Sequence, residues 1–144
     1  SEDGHISEKI SDRVRMVDKR NAKLPRMLKE MNSPEFYKKN SDIFLIGWGS
    51  TRGALIESVD ILRKEKVNVG CLNFSDIWPF PAPAVQQALG RGKQFFTVEL
   101  NSTAQFARLI RQETGLSSSG AILKYDGRPF YPVEIAETLI KRIH

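Results

Sequence analysis

From Asp42 onward the chain alternates short, almost wholly apolar runs with segments whose apolar positions recur every three or four residues. "DIFLIGW" predicts a strand buried on both faces, since such a strand needs continuous apolarity rather than alternation. "TRGALIESVDILRKEK" places Leu55, Val59 and Leu62 on one face of a helix. The alternation continues with a strand in "VNVGCLNF" and a short helix in "APAVQQALGRG", stopped by Gly90 or Gly92. A strand in "KQFFTVEL" follows, then a helix in "NSTAQFARLIRQETG", capped by Asn101 or Ser102 and stopped by Gly115. "GAILKY" predicts a fourth strand, and Pro132 opens the closing helix "PVEIAETLIKRIH". This order predicts an α/β domain over 42–144, with a mostly parallel sheet and helices on both faces.

Residues 1–41 follow a different rule. Ile6, Ile10, Val14 and Val17 fall at helical spacing, and Leu24, Leu28 and Met31 continue the face. Pro25 would cost about 3 kcal/mol inside an unbroken helix, so a kink or break is expected near Leu24. "NSPEFYKKNSD" carries Asn, Ser and Pro turn chemistry and ends the segment. The expectation is a helical arm leading into the domain, its apolar stripe needing a partner surface.

Right-handed crossovers bring all the strands' C-terminal ends to one side, where open α/β sheets bind ligands. The loops 47–53, 73–83, 99–105 and 125–131 are therefore the segments to read for chemistry. Gly47-Trp48-Gly49-Ser50-Thr51-Arg52-Gly53 has one residue more than the dinucleotide fingerprint, and it lacks the Gly-Lys-Ser/Thr of a P-loop. No acidic residue stands about 20 residues on to hold a ribose; Asn73 and Asp76 are loose substitutes. Gly47, Gly49, Ser50, Thr51 and Arg52 could still cradle an anion at the helix N-terminus. The reading favoured is a tight turn with close strand–helix packing and a cap from Ser50.

In "TVELNSTAQ", Glu99, Asn101 and Gln105 emerge together at the crevice, as a helix cap or as a polar contact for a ligand or neighbouring domain. Trp78 and Phe80 sit between prolines in "IWPFPAPAV", a rigid setting that suits interface anchors or packing onto the domain itself. In "KYDGRPFYP", Arg128 follows an Asp-Gly turn and is a candidate anion or domain contact. No residue set nominates a catalytic acid, base or nucleophile.

Composition narrows the remaining classes. The chain has 144 residues, enough for one domain with a real core plus an appendage. Its net charge is +5, but the cations are spread among acids without interleaved aromatics, so no nucleic-acid partner is expected. No apolar run approaches the ~18–20 residues of a membrane span, so no membrane partner is expected and a cytoplasmic setting is the default. The single cysteine, Cys71, cannot supply the four thiolates usual for an iron–sulfur cluster. His5 and His144 stand at opposite ends of the chain and give no metal-ligand spacing.

"GWGSTRGALIES", "WPFPAPAV", "VELNSTAQFARLIRQET" and "KYDGRPFYPVEI", taken in this order, resemble the C-terminal end of the alpha subunit of 2-oxoacid:ferredoxin oxidoreductases. "RVRMVDKRNAKL" resembles the arm that joins this domain to the preceding one, so the resemblance covers nearly all of 10–144. It implies a three-layer α/β/α, transketolase C-terminal-like domain. It also implies a parent enzyme that oxidatively decarboxylates a 2-oxoacid with coenzyme A, giving acyl-CoA, carbon dioxide and reduced ferredoxin. Thiamine diphosphate with magnesium and the iron–sulfur clusters would lie on other domains or subunits, with none bound here. The implied partners are the remaining alpha-subunit domains, the beta subunit and, through the whole enzyme, ferredoxin. Glu99, Asn101, Gln105, Trp78, Phe80 and Arg128 would then be domain contacts. One departure stands out: the Glu-x-Asn pattern usually precedes a Gly-Gln pair, and Ala104 takes that glycine's place. Two alternatives remain: a stand-alone anion, coenzyme A or nucleotide module, or the matching domain of a transketolase or 2-oxoacid dehydrogenase.

Overall fold

A computed structural model describes residues 3–90 and 92–143 in two compact units, the first ending at Met31 and the second beginning at Asn32. The first unit holds helices α1 (Ile10–Asn21) and α2 (Leu24–Glu30). The chain breaks at Ala22–Lys23, just ahead of Pro25, which sits in the first turn of α2 where its missing N–H costs nothing. Neither helix buries a residue, and Ile6 precedes α1.

The second unit is a five-stranded sheet in the order β1-β3-β2-β4-β5. Strands β2 (Ile43–Trp48), β3 (Val69–Phe74), β4 (Gln94–Glu99) and β5 (Gly120–Leu123) are parallel, as the apolar runs predict. The chain leaves β2 in one direction through α3 (Arg52–Lys64) to β3. It then recrosses through α4 (Ala82–Leu89) to β4 and continues through α5 (Gln105–Thr114) to β5. Right-handed crossovers in opposite directions put their helices on opposite faces. Leu55, Val59 and Leu62 of α3 accordingly share one core with Ile135, Ala136 and Leu139 of α6 (Pro132–Ile143). Val85 and Leu89 of α4 pack with Phe106 and Ile110 of α5 over the other face. The result is a three-layer α/β/α sandwich.

Strand β1 (Glu35–Tyr37) is an addition to the sequence reading, which took this segment as the turn ending the arm. It runs antiparallel to β3, with Glu35 opposite Asn73 and Tyr37 opposite Cys71. Its partners explain why a three-residue strand forms among turn residues. Phe36 meets Phe44 edge-on at 6.0 Å, and the Tyr37 hydroxyl donates to Asp60 on α3 at 2.8 Å. At its near end, Asn32 donates its backbone N–H and side-chain amide to the Asp76 carboxylate at 2.8 and 3.0 Å.

Candidate functional site

The loops that follow β2, β3, β4 and β5 share the C-terminal edge of the parallel strands. At the first of them, a Cβ on Gly47 would lie 2.5 Å from Thr51 Oγ1 and 2.8 Å from Leu55 Cδ1, so a side chain there would have to displace both. Gly49 has φ +57, in the left-handed region that glycine enters without strain. Thr51 is buried and donates its hydroxyl to the Trp48 carbonyl at 3.0 Å. The expected Ser50 cap is not formed: residues 49–51 make a 3₁₀ turn, and neither it nor α3 has a side-chain cap. Arg52 faces Glu35 of β1, donating Nε and Nη2 to its two oxygens at 2.7 and 2.6 Å. This bond holds the Glu35 carboxyl below its usual range and raises the guanidinium. The glycines of this turn allow close strand–helix packing, and its arginine is already paired with Glu35.

Glu99 organises the third loop. Its side chain is fully buried at the end of β4. One carboxylate oxygen accepts the Phe106 N–H at 2.8 Å and the Asn101 side-chain amide at 2.8 Å; the other accepts the Ala107 N–H at 3.0 Å. Those N–H groups are orphan donors of the first turn of α5, where the helix dipole also favours an anion. Asn101 Oδ1 in turn accepts the backbone N–H of Thr103 and Gln105 at 3.0 and 3.3 Å. The expected cap from Asn101 is met at Gln105, the first residue of α5, while the next two N–H groups of that turn go to Glu99, a carboxylate six residues upstream of the helix start. Between them Ala104 adopts φ +52, ψ +50, a left-handed conformation. That geometry is why glycine suits this position, independently of close approach.

The aromatic residues divide. Phe80 is only 6% exposed, stacks on Phe74 at 5.9 Å and meets Phe106 at 6.3 Å, so it belongs to this domain's own core and not to a contact surface. Trp78, two residues earlier, is 54% exposed. Trp48 leans on Phe106 at 6.4 Å, so aromatic rings occupy the place between β2 and β4 where strand order reverses. At the fourth loop, Leu100, Lys124, Tyr125, Arg128 and Pro129 line a hollow of about 490 Å³. Lys124 donates to both Glu134 oxygens at 2.8 and 2.7 Å, which together with the Tyr131 N–H holds that carboxyl below its usual range. Arg128 lies 3.5 Å from Asp126. Neither Glu35 nor Glu134 was singled out from sequence; their partners are 17 and 10 residues away, beyond any local pattern.

The described side chains do not gather into a site for the metals that the resemblance implies. Among the described residues no three His, Cys, Asp or Glu side chains group to hold a metal ion. Cys71 is buried on β3, and burial pushes its thiol up to about 12, the wrong direction for a thiolate ligand. His144 lies outside the described residues. No described helix is long and apolar enough to cross a membrane.

Residues 41–135 match the family described as pyruvate:ferredoxin oxidoreductase core domain II. The chain belongs to that family. Over 147 aligned residues it is 35% identical to subunit alpha of 2-oxoacid:ferredoxin oxidoreductase 1 from Sulfurisphaera tokodaii, covering 99% of this chain and 23% of that subunit. The domain II fold is also that of a 2-oxoglutarate:ferredoxin oxidoreductase from Magnetococcus marinus, solved with 2-oxoglutarate, coenzyme A and succinyl-CoA bound. That likeness has TM-score 0.83 at 24% identity, over 98% of this chain and 25% of that one. A transketolase from Pichia stipitis is similar at TM-score 0.60 and 16% identity, over 77% of this chain and 18% of that one, as a transketolase-like architecture implies. The chain spans about a quarter of the length of these two oxidoreductase chains.

Proposed function

We propose that this core domain II works within a 2-oxoacid:ferredoxin oxidoreductase alpha subunit and that its role is to support and assemble the domains that carry the cofactors. The whole enzyme would convert a 2-oxoacid and coenzyme A to acyl-CoA, carbon dioxide and reduced ferredoxin, in company with a beta subunit. One observation carries the supporting role: four side chains at the strands' C-terminal edge, Glu99, Asn101, Arg52 and Lys124, are spent on holding the domain's own loops. Glu99 caps α5, Asn101 braces Glu99, Arg52 grips Glu35 and Lys124 grips Glu134. A catalytic centre would instead leave such groups facing a substrate.

Calorimetric titration of this chain with coenzyme A, and separately with thiamine diphosphate and magnesium, tests the reading. No heat from either is expected, together with no 2-oxoacid-dependent ferredoxin reduction by the chain alone. Saturable coenzyme A binding, lost in Arg52→Ala, would overturn the supporting role in favour of a ligand site at the glycine turn.

A further inference from the structure

Among the described residues of the sheet unit, the large apolar side chains left exposed are Trp48, Trp78, Leu100, Tyr125, Tyr131 and Val133. Trp48 ends β2, Trp78 follows β3, Leu100 follows β4, Tyr125 and Tyr131 follow β5, and Val133 stands in the first turn of α6. Because those four strands are parallel, all six residues stand at one edge of the sheet. Single exposed apolar residues need no explanation, but segregation of this kind does. Tyr125 is 73% exposed and Trp78 54%, so the rings present most of their area to solvent.

We propose that this edge is a docking surface, and that its occupant is an apolar surface from the remaining three-quarters of a 2-oxoacid:ferredoxin oxidoreductase alpha subunit. The inference rests on the supporting role proposed above and says where that role is exercised. Two features select the occupant. First, the Sulfurisphaera tokodaii subunit and the Magnetococcus marinus chain are about four times as long as this one, so in them the matched domain shares its polypeptide with a large mass of other protein. Second, the hollow beside Leu100 and Tyr125 has its cations compensated locally, Lys124 by Glu134 and Arg128 by Asp126. An anionic ligand would find no unpaired charge there, whereas an apolar side chain would find the Leu100, Tyr125 and Pro129 walls. With Leu100 and Tyr125 lining the hollow and Trp48 and Trp78 exposed at the same edge, the surface has the aromatic and apolar anchors of an interface core.

Hydroxyl-radical footprinting read by mass spectrometry, on the isolated chain and on the assembled enzyme that contains it, tests the surface directly. Oxidation of Trp78 and Tyr125 is expected to fall roughly tenfold on assembly, as removal of exposed rings into a water-excluded interface core requires. The double variant Trp78→Asp/Tyr125→Asp should melt with the parent chain, since both side chains are exposed, yet fail to assemble. Equal oxidation of both rings in an active assembly would overturn the surface while leaving the supporting role intact. Failure to find the chain in any ferredoxin-reducing assembly would overturn the supporting role itself. Protection that appears in the isolated chain as its concentration rises would identify a second copy as occupant, which also overturns the proposal.

Discussion

Replacing Glu99 by alanine tests the most consequential interaction of the domain. The substitution removes three hydrogen bonds to a carboxylate, from Phe106 N–H, Ala107 N–H and the Asn101 amide. Bonds to a charged group contribute about 1.5–3 kcal/mol each, net of the hydration they replace, and bonds sharing one acceptor do not add fully. Phe106 N–H is buried and would be left without an acceptor, costing about 1–3 kcal/mol. Ala107 and Asn101 are only partly buried, so entering water recovers some of their loss. The expected destabilisation is about 3 kcal/mol, or roughly 9 °C in melting temperature for a domain of this size. Glu99→Gln retains one acceptor oxygen but turns an amide NH₂ toward a backbone donor, so about half that loss is expected. Thermal and urea unfolding followed by circular dichroism give the totals. Hydrogen exchange at Phe106 and Ala107 should accelerate locally. A Glu99→Ala chain that melts within about 2 °C of the parent, with unchanged exchange at those amides, would refute the capping argument.

Other substitutions probe the turns and the ion pairs. Gly47→Ala should cost about 1–3 kcal/mol through its collision with Thr51 and Leu55, whereas Gly53→Ala, with open space around its Cβ, should be neutral or stabilising by up to about 1 kcal/mol. Comparing their urea midpoints checks both. Ala104→Gly should stabilise by about 0.5 kcal/mol, because release from a left-handed conformation exceeds the added flexibility of the unfolded chain. Gly115→Ala, at φ +76, should lose about 1 kcal/mol in the same melting assay. Glu35 is held below its ordinary range by Arg52, so the pair favours the fold above the unfolded-state carboxyl value of about 4.3, and that contribution is lost as pH falls through the lower folded value. Arg52→Met should therefore flatten the decline in urea midpoint between about pH 5 and pH 3.

Four of the five strands were legible because each is a continuous apolar run, and α3 because Leu55, Val59 and Leu62 repeat at helical spacing and all prove buried. Strand β1 was hidden because three residues carry no period; Phe44, Asp60 and β3 define it from far along the chain. The site was read by type but not by role. Glu99 was marked at the crevice, yet its capping of α5 depends on the loop returning the helix N-terminus beneath β4. For Trp78 and Phe80 the sequence leaves both an interface anchor and packing onto the domain open, and only the structure separates them, stacking Phe80 on Phe74 and leaving Trp78 exposed. Ala104 could be marked as a departure from the resembled pattern, but only backbone dihedrals explain why glycine belongs there.

The direction of β1 has a consequence for how the domain is connected. Because β1 is antiparallel to β3, Glu35 enters the sheet beside Asn73, near the C-terminal end of β3, and Asn32 is moored to Asp76 in the loop beyond. The polypeptide therefore joins the sheet unit at the same edge that carries Trp78 and Tyr125. A tether attached beside a contact surface turns a bimolecular encounter into an intramolecular one, with effective concentrations in the millimolar range for short linkers. Moving that entry point to the opposite edge of the sheet would carry the tether away from Trp78 and Tyr125 without altering a single contact within the sheet unit.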